Sequence, residues 1–268
     1  MRPNTLRQVF AVGDTAVNAW ISGDSAYLAE VLSYSGFDAV TIDLQHGMFG
    51  TDGALKLIQA VSAGPSIPMV RPTELNAAQI GKLLDGGAYG VICPSIDTPE
   101  QAQELVRACH YPPRGARSFG PSRGLLYGGA DYVDHFEDEL LVWAMIESAT
   151  ALANLDRIVE IDGIDGVYVG PNDLLLSLGL RPGSNTSEPV VTEKMEQIIK
   201  AAHSAGRVAG AFCADGAMGA RLANMGCDLV TPGNDAGLLR AAAAQRIAQV
   251  RRGANGTSGA QGSASSGY

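Results

Sequence analysis

Eight short β-rich runs alternate with eight longer amphipathic stretches along this chain, and that alternation limits the folds open to it. The runs lie at 17–21, 38–43, 67–71, 89–94, 140–146, 166–170, 208–213 and 228–231. Between and after them, apolar residues recur at helical spacing near 25–36, 51–63, 75–86, 99–110, 149–161, 191–206, 215–226 and 235–251. Strands separated by helical crossovers pair in parallel, because the helix carries the chain back across the sheet. Eight such units in about 250 residues match the size of a (β/α)8 barrel. An open doubly wound sheet is the alternative. It normally carries a glycine-rich phosphate turn after its first strand, and here that position reads Trp20-Ile21-Ser22-Gly23-Asp24-Ser25. The expected fold is a single-domain α/β TIM barrel over 1–252. The remaining residues, 253–268, are a low-complexity Gly/Ser/Ala stretch that reads as a disordered tail.

Local punctuation agrees. Asp24 or Ser25, Asn76, Thr98 before Pro99, and Asp215 stand where helices should be capped. Gly36, Gly64, Gly206 and Gly226 stand where helices should stop in a left-handed residue. The connection 111–139 is too long for a turn, and long loops in compact domains are usually functional or make subunit contacts.

Charge and composition narrow the function. The net charge is −9 and the basic residues are scattered, so nucleic acid is not an expected partner. No run reaches the roughly 18 apolar residues that cross a bilayer, and the N-terminus lacks the apolar core of a signal peptide. The expectation is a soluble, cytoplasmic protein with no membrane partner. The four cysteines, Cys93, Cys109, Cys213 and Cys227, are widely spaced and read as buried, reduced thiols rather than a zinc site.

Four ionisable residues punctuate four apolar runs: His46, Arg71, Glu147 and Asp173. Barrels assemble active sites at the carboxyl ends of their strands, from residues distant in sequence. Glu147 and Asp173, on consecutive strands, can hold one hard cation and leave positions open for water and substrate oxygens; alternatively each caps the following helix. Asp43 and His46 straddle a strand end, where Asp43 can orient the imidazole as a proton acceptor; a surface histidine beside a capping aspartate is the plainer alternative. Arg71 suits a keto or enolate oxygen or a carboxylate, or an internal salt bridge to Asp43 or Glu147. The turn Gly170-Pro171-Asn172-Asp173 offers backbone N–H groups to an anion. Arg114, Arg117, Ser122 and Arg123 can meet a distal substrate anion or form a solvated loop or subunit contact. His110, His135 and His203 read as helix-surface or loop positions. All lysines, Lys56, Lys82, Lys194 and Lys200, fall in helical segments, which argues against imine chemistry.

These motifs resemble the HpcH/HpaI aldolase family, the metal-dependent class II pyruvate aldolases. The matching stretches are Gly36-Phe37-Asp38 with Ile42-Asp43-x-x-His46, Val70-Arg71-Pro72, and Leu84-Asp85-x-Gly87-Ala88. They continue through Tyr111-Pro112-Pro113-x-Gly115-x-Arg117, Ile146-Glu147-Ser148, and Asp165-Gly166-Val167-x-Val169-Gly170-Pro171-x-Asp173-Leu174, in family order over nearly all of 18–250. The resemblance implies a (β/α)8 barrel in a hexamer of dimers that exchange their last helix. It implies that Glu147 and Asp173 bind Mg²⁺, Mn²⁺ or Co²⁺, that Arg71 stabilises the pyruvate enolate, and that Asp43 and His46 form the proton-transfer dyad. The keto-acid carboxylate would rest near Gly170, Pro171, Asn172 and Asp173. Gln45 stands where the family often has Glu, and Met145 where it often has Gln.

The expected activity is a lyase that reversibly cleaves a 4-hydroxy-2-oxo acid, such as 4-hydroxy-2-oxoheptanedioate, to pyruvate and an aldehyde through a metal-bound enolate. Alternatives are oxaloacetate decarboxylation, a citrate-lyase-like carbon–carbon cleavage, and a non-catalytic keto-acid-binding barrel.

Overall fold

The computed structural model describes residues 1–183 and 189–255, with side chains through Arg252. Eight parallel strands close on themselves in sequence order. They are β1 (Ala16–Ile21), β2 (Ala39–Asp43), β3 (Ile67–Arg71), β4 (Gly90–Cys93), β5 (Leu141–Ile146), β6 (Gly166–Val169), β7 (Val208–Cys213) and β8 (Leu229–Pro232). Each begins and ends within one residue of its sequence-predicted run. Strands bracketed by helices are buried on both faces, so they stand out as near-continuous apolar runs.

Before the barrel lies α1 (Thr5–Ala11), an element the sequence pattern did not suggest. The helices after the first four strands are α2 (Ala26–Ser33), α3 (Thr51–Ala63), α4 (Ala77–Asp85) and α5 (Pro99–Cys109). The connection 111–139 contains α6 (Ser122–Gly128) and α7 (Tyr132–Glu139), so much of the expected loop is helical. The stretch 149–161 is two short helices, α8 (Ala149–Ala153) and α9 (Leu155–Val159), broken at Asn154. Then come α10 (Pro171–Ser177), α11 (Pro189–Ser204) and α12 (Gly216–Asn224). The last helix, α13 (Asp235–Asn255), runs into the first residues of the expected tail. The rest of that stretch, 256–268, lies outside the described residues. The chain divides into a barrel unit, Met1–Asp235, and a second unit from Ala236 onward. No described helix is long and apolar enough to cross a membrane.

The caps fall where expected. Ser25, Asn76, Thr98 and Asp215 each accept a hydrogen bond from a first-turn N–H, and Thr98 with Gln101 completes a reciprocal capping box. Gly36, Gly206 and Gly226 have positive φ, but Gly64 is extended at φ −101°. Its requirement is steric: a Cβ there would sit 2.3 Å from Ser33 Oγ. All four cysteines are free and buried.

Alternation along the strands positions the site. Leu141, Trp143 and Met145 belong to one buried cluster with Ala39, Ile67, Met69 and Tyr168, which fills the barrel interior. Val142, Ala144 and Ile146 belong to the other, between sheet and helices. Successive side chains point to opposite faces, so the inward row of β5 continues to Glu147. By the same parity the inward row of β3 runs Ile67, Met69, Arg71, and that of β2 runs Ala39, Thr41, Asp43. The three charged residues are thus the top layer of the interior, at the carboxyl ends of the strands. Beneath them Thr41 donates to Asn18 (3.0 Å), while Asn18 and Tyr168 both donate to Thr231 (2.9 and 2.7 Å).

Candidate active site

Asp43 and Arg71 are in register across β2 and β3. Their side chains meet as a fork: Arg71 Nε donates to Asp43 Oδ1 at 2.8 Å and Nη2 to Oδ2 at 2.6 Å. Asp43 is 1% exposed and Arg71 8%, so the pair is shielded from water. Trp20 closes it from β1. Its Nε1 donates to Asp43 Oδ2 (3.1 Å), and the guanidinium stacks 4.8 Å from its ring centre. Of the two alternative partners expected for Arg71, the structure selects Asp43.

Asp43 also folds the turn that follows it, accepting the backbone N–H of Gln45 (3.0 Å) and of His46 (3.3 Å). The expected contact between Asp43 and the imidazole is therefore a contact to the histidine's backbone. The ring of His46 is exposed and has no hydrogen-bond partner among the described residues. The physical reason is competition: Arg71, Trp20 and the N–H groups of Gln45 and His46 together fill both carboxylate oxygens of Asp43. Burial alone would raise the Asp43 pKa, but the hydrogen bonds and charge of Arg71, aided by Trp20 and the His46 N–H, hold it below its ordinary value.

Glu147 is 7% exposed. Its Oε1 accepts the N–H of Ser95 at 2.7 Å. Its Oε2 is buried and has no hydrogen-bond partner among the described residues. Oε2 faces Gly170, where a Cβ would sit 2.6 Å away. Burial pushes the Glu147 pKa up, and the negative charge of Asp173 adds to this, while Ser95 and Arg71 pull it down. Glu147, Asp173 and Arg71 thus share one electrostatic environment. Asp173 lies in the first turn of α10, whose N-cap Gly170 supplies no side-chain hydrogen bond and whose first residue is Pro171. The N–H groups of Asn172 and Asp173 lie in the first turn, too early to reach an intrahelical acceptor. Beside this turn is a cleft of about 390 Å³ lined by Pro171, Asn172, Pro182, Gly183, Phe212, Cys213 and Ala214.

The arginines of 111–123 are engaged elsewhere. Arg117 is buried, donates to Asp85 (2.7 Å) and lies 4.5 Å from the ring centre of Tyr111. Arg123 donates to the carbonyl of Gly86, and Arg114 pairs with Glu137 and Asp162. None is placed to receive a substrate anion at the strand ends. His135 is exposed, and the half-exposed ring of His203 is 2.8 Å from Asp228. His110 is not a surface residue: it is 3% exposed, packed on Phe136, with its pKa lowered by burial and by Arg114.

A match to the HpcH/HpaI aldolase/citrate lyase family model over residues 17–242 decides the family. The chain belongs to the HpcH/HpaI family. It is 40% identical over 248 residues to a hydroxypyruvate/pyruvate aldolase of Rhizorhabdus wittichii, covering 92% of this chain and 99% of that one. It is 37% identical over 251 residues to a 2-keto-3-deoxy-L-rhamnonate aldolase of Klebsiella pneumoniae, covering 92% and 93%. The crystal structure of an HpcH/HpaI aldolase/citrate lyase family protein from Burkholderia cenocepacia superposes with a TM-score of 0.85 at 29% identity, covering 92% of this chain and 99% of that one. This HpcH/HpaI member is an enzyme, a carbon–carbon lyase of the pyruvate-aldolase type, on a closed eight-stranded barrel.

Trp20 and Ser95 are contributors that the sequence reading missed. Trp20 carries a weak signal, a polar-edged aromatic at a strand's carboxyl end. Ser95 carries none, since its contribution is a backbone N–H.

Proposed function

We propose that this chain reversibly cleaves a 4-hydroxy-2-oxo acid to pyruvate and an aldehyde, with a divalent cation held by Glu147 and Asp173. The observation that carries this reading is Glu147 Oε2: a buried carboxylate oxygen without a partner among the described residues, on a residue whose negative charge is opposed by that of Asp173. A buried charge left so is costly unless something positive completes it. The donor set fits a hard cation. Mg²⁺ and Mn²⁺ accept a few carboxylates and fill the remaining positions with water and substrate oxygens. No group of three or more His, Cys, Asp and Glu side chains converges among the described residues, so a closed structural zinc site does not fit. When bound, the cation supplies Lewis acidity toward the substrate's 2-keto oxygen.

The rest falls to the chain's own groups. Asp43 takes two of the five N–H donors of Arg71, leaving three for the oxygen that gains charge as the C3–C4 bond breaks. Because the fork and the Trp20 stack fix the guanidinium beforehand, no reorganisation is needed when that charge appears. His46, exposed at the mouth, accepts the C4-hydroxyl proton, directly or through water, and returns a proton to C3 of the enolate. Asp43 orients it through the turn rather than through the ring. The substrate carboxylate rests on the N–H groups of Asn172 and Asp173. Gly170 and Pro171 keep that approach free of side chains and of a competing donor. The aldehyde product leaves toward the cleft bounded by Phe212 and Pro182. The relatives' names, aldolases of pyruvate, hydroxypyruvate and a 2-keto-3-deoxy sugar acid, support a 2-oxo-acid substrate.

The test is pyruvate release from 4-hydroxy-2-oxoheptanedioate and shorter 4-hydroxy-2-oxo acids by chelator-stripped protein, before and after Mg²⁺, Mn²⁺ or Co²⁺ is restored. Pyruvate release that depends on added metal, and disappears in Glu147→Gln, is the expected result. Oxaloacetate decarboxylation without any aldol cleavage would overturn the aldolase assignment.

A further inference from the structure

We propose that Ser95 is a positioning residue: its backbone N–H, turned toward Glu147 by a left-handed backbone, locks that carboxylate so that Oε2 alone faces the cation site. The inference rests on the reading of Glu147 as a cation ligand given above.

Ser95 has φ +56°, the one positive φ among the described non-glycine residues. Left-handed backbone is unfavourable for any residue with a Cβ, and such strain persists only where surrounding structure holds it. What holds it is visible on both sides. On one side the Ser95 N–H reaches Glu147 Oε1 at 2.7 Å, whereas its hydroxyl is 3.5 Å from the same oxygen. The amide is the effective donor. On the other side, two residues on, the carboxylate of Asp97 accepts the hydroxyl of Ser148, the residue after Glu147. Ser148 Oγ in turn accepts the N–H of Ala151 (2.9 Å), and the Asp97 carbonyl accepts from Asn154 Nδ2 (2.8 Å). The loop after β4 is therefore stapled to the start of the β5–α8 connection at two consecutive residues.

The consequence is geometric. With Oε1 engaged, the carboxylate cannot rotate about its terminal bond without losing its hydrogen bond, and Oε2 stays against Gly170. With Ser95 in an extended conformation the N–H would swing away. Both oxygens would then lack a partner, and the ligand geometry would no longer be set in advance. Hydrogen bonds to a metal ligand's other atoms typically govern affinity by about 10–100-fold.

Ser95 is exposed, so substitutions there leave the core untouched. The experiment measures Mn²⁺ binding to chelator-treated full-length protein by electron paramagnetic resonance, with thermal melting alongside, for wild type, S95G, S95T, S95V and E147Q. Glycine keeps the N–H and adopts positive φ freely, so S95G should bind Mn²⁺ as wild type does. β-Branched side chains resist positive φ, so S95V and S95T should bind about 10–100-fold more weakly. S95T keeps the hydroxyl and is the milder change should S95V fail to fold. A merely structural Ser95 would shift melting without shifting Mn²⁺ affinity. Wild-type affinity in both S95V and S95T overturns the proposal, as does a loss in S95G as large as in S95V. If E147Q alone loses Mn²⁺, the cation site stands and only the role of Ser95 falls. If E147Q binds Mn²⁺ as well as wild type, Glu147 is not a ligand and both readings fall.

Discussion

Asp43 serves three groups at once: the Arg71 fork, the Trp20 indole and the turn that carries His46. Removing its charge should show in stability before activity is measured. In Asp43→Asn the buried guanidinium loses its counter-ion, and breaking a buried pair from one side costs about 3–5 kcal/mol. Because the folded Asp43 pKa lies below its ordinary value of 3.8, the stabilisation is fully present above that pH and fades as pH falls through the lowered value. Urea unfolding should therefore show a large gap between wild type and D43N near neutral pH, narrowing only below 3.8. An equal gap across the whole acid series would mean that the ion pair contributes nothing and that the variant acts through packing. At this scale, what the sequence revealed follows a simple divide. His46, Arg71, Glu147 and Asp173 are legible because each interrupts an apolar run. The Arg71–Asp43 fork is only half legible, since inward parity and register decide which of two carboxylates the guanidinium meets. Ser95 is invisible, because it acts through a backbone N–H and a serine, unlike a glycine, gives no sign of positive φ.

Among the elements, the strands are legible in the sequence to within one residue at each end, while the segments between them are less so. The barrel strands need only apolar residues on both faces, a signal that survives without knowledge of the neighbours. Residues 111–139 depend on tertiary partners: Arg117 is held by Asp85 and Tyr132, and Tyr132 stacks on Phe136. Gly124 and Gly128 sit inside α6, against the usual helix propensity, because a Cβ at either would press on Tyr132. Helix α1 was missed because Leu6 is its one buried residue, leaving no periodic stripe. Gly64 gives a test of element-level packing. Ser33 Oγ donates to the Val61 carbonyl (2.9 Å), accepts the Ser66 N–H (3.2 Å), and crowds the space above Gly64. Gly64→Ala should cost about 1–3 kcal/mol as an overpacking change. Combined with Ser33→Ala, it should cost less than the sum of the two single changes, because the closest clash, with Oγ at 2.3 Å, is gone and only the Cβ of residue 33, at 2.8 Å, has still to give way. Additive losses in thermal unfolding would show that the Ser33 hydroxyl does not exclude a side chain there and would assign the crowding to the Tyr34 ring, 3.2 Å from the same Cβ position.

For the whole molecule, site and stability pull against each other, and the pull has a sign. The barrel places Glu147 where it is buried, where its Oε2 has no partner among the described residues and where Asp173 repels its charge. Such an arrangement weakens the folded state unless the proposed cation completes it, and trading stability for function in this way is common at active sites. Stripped of metal at neutral pH, E147Q should therefore melt no lower than wild type, although the substitution falls at the centre of the proposed chemistry. With Mn²⁺ added, the order should reverse. A ligand that binds only the folded state stabilises it by about 2.7 kcal/mol at one hundred times its dissociation constant. For a domain of this size that corresponds to a rise of about 5–10 °C in melting temperature. Wild type should show this rise and E147Q should not. The two curves thus cross as metal is titrated in, a pattern that simple loss of packing cannot produce, because packing is indifferent to Mn²⁺. An E147Q protein that melts well below wild type without metal, and gains as much as wild type with it, would place the cation elsewhere. It would also leave the buried Oε2 of Glu147 without a cationic partner.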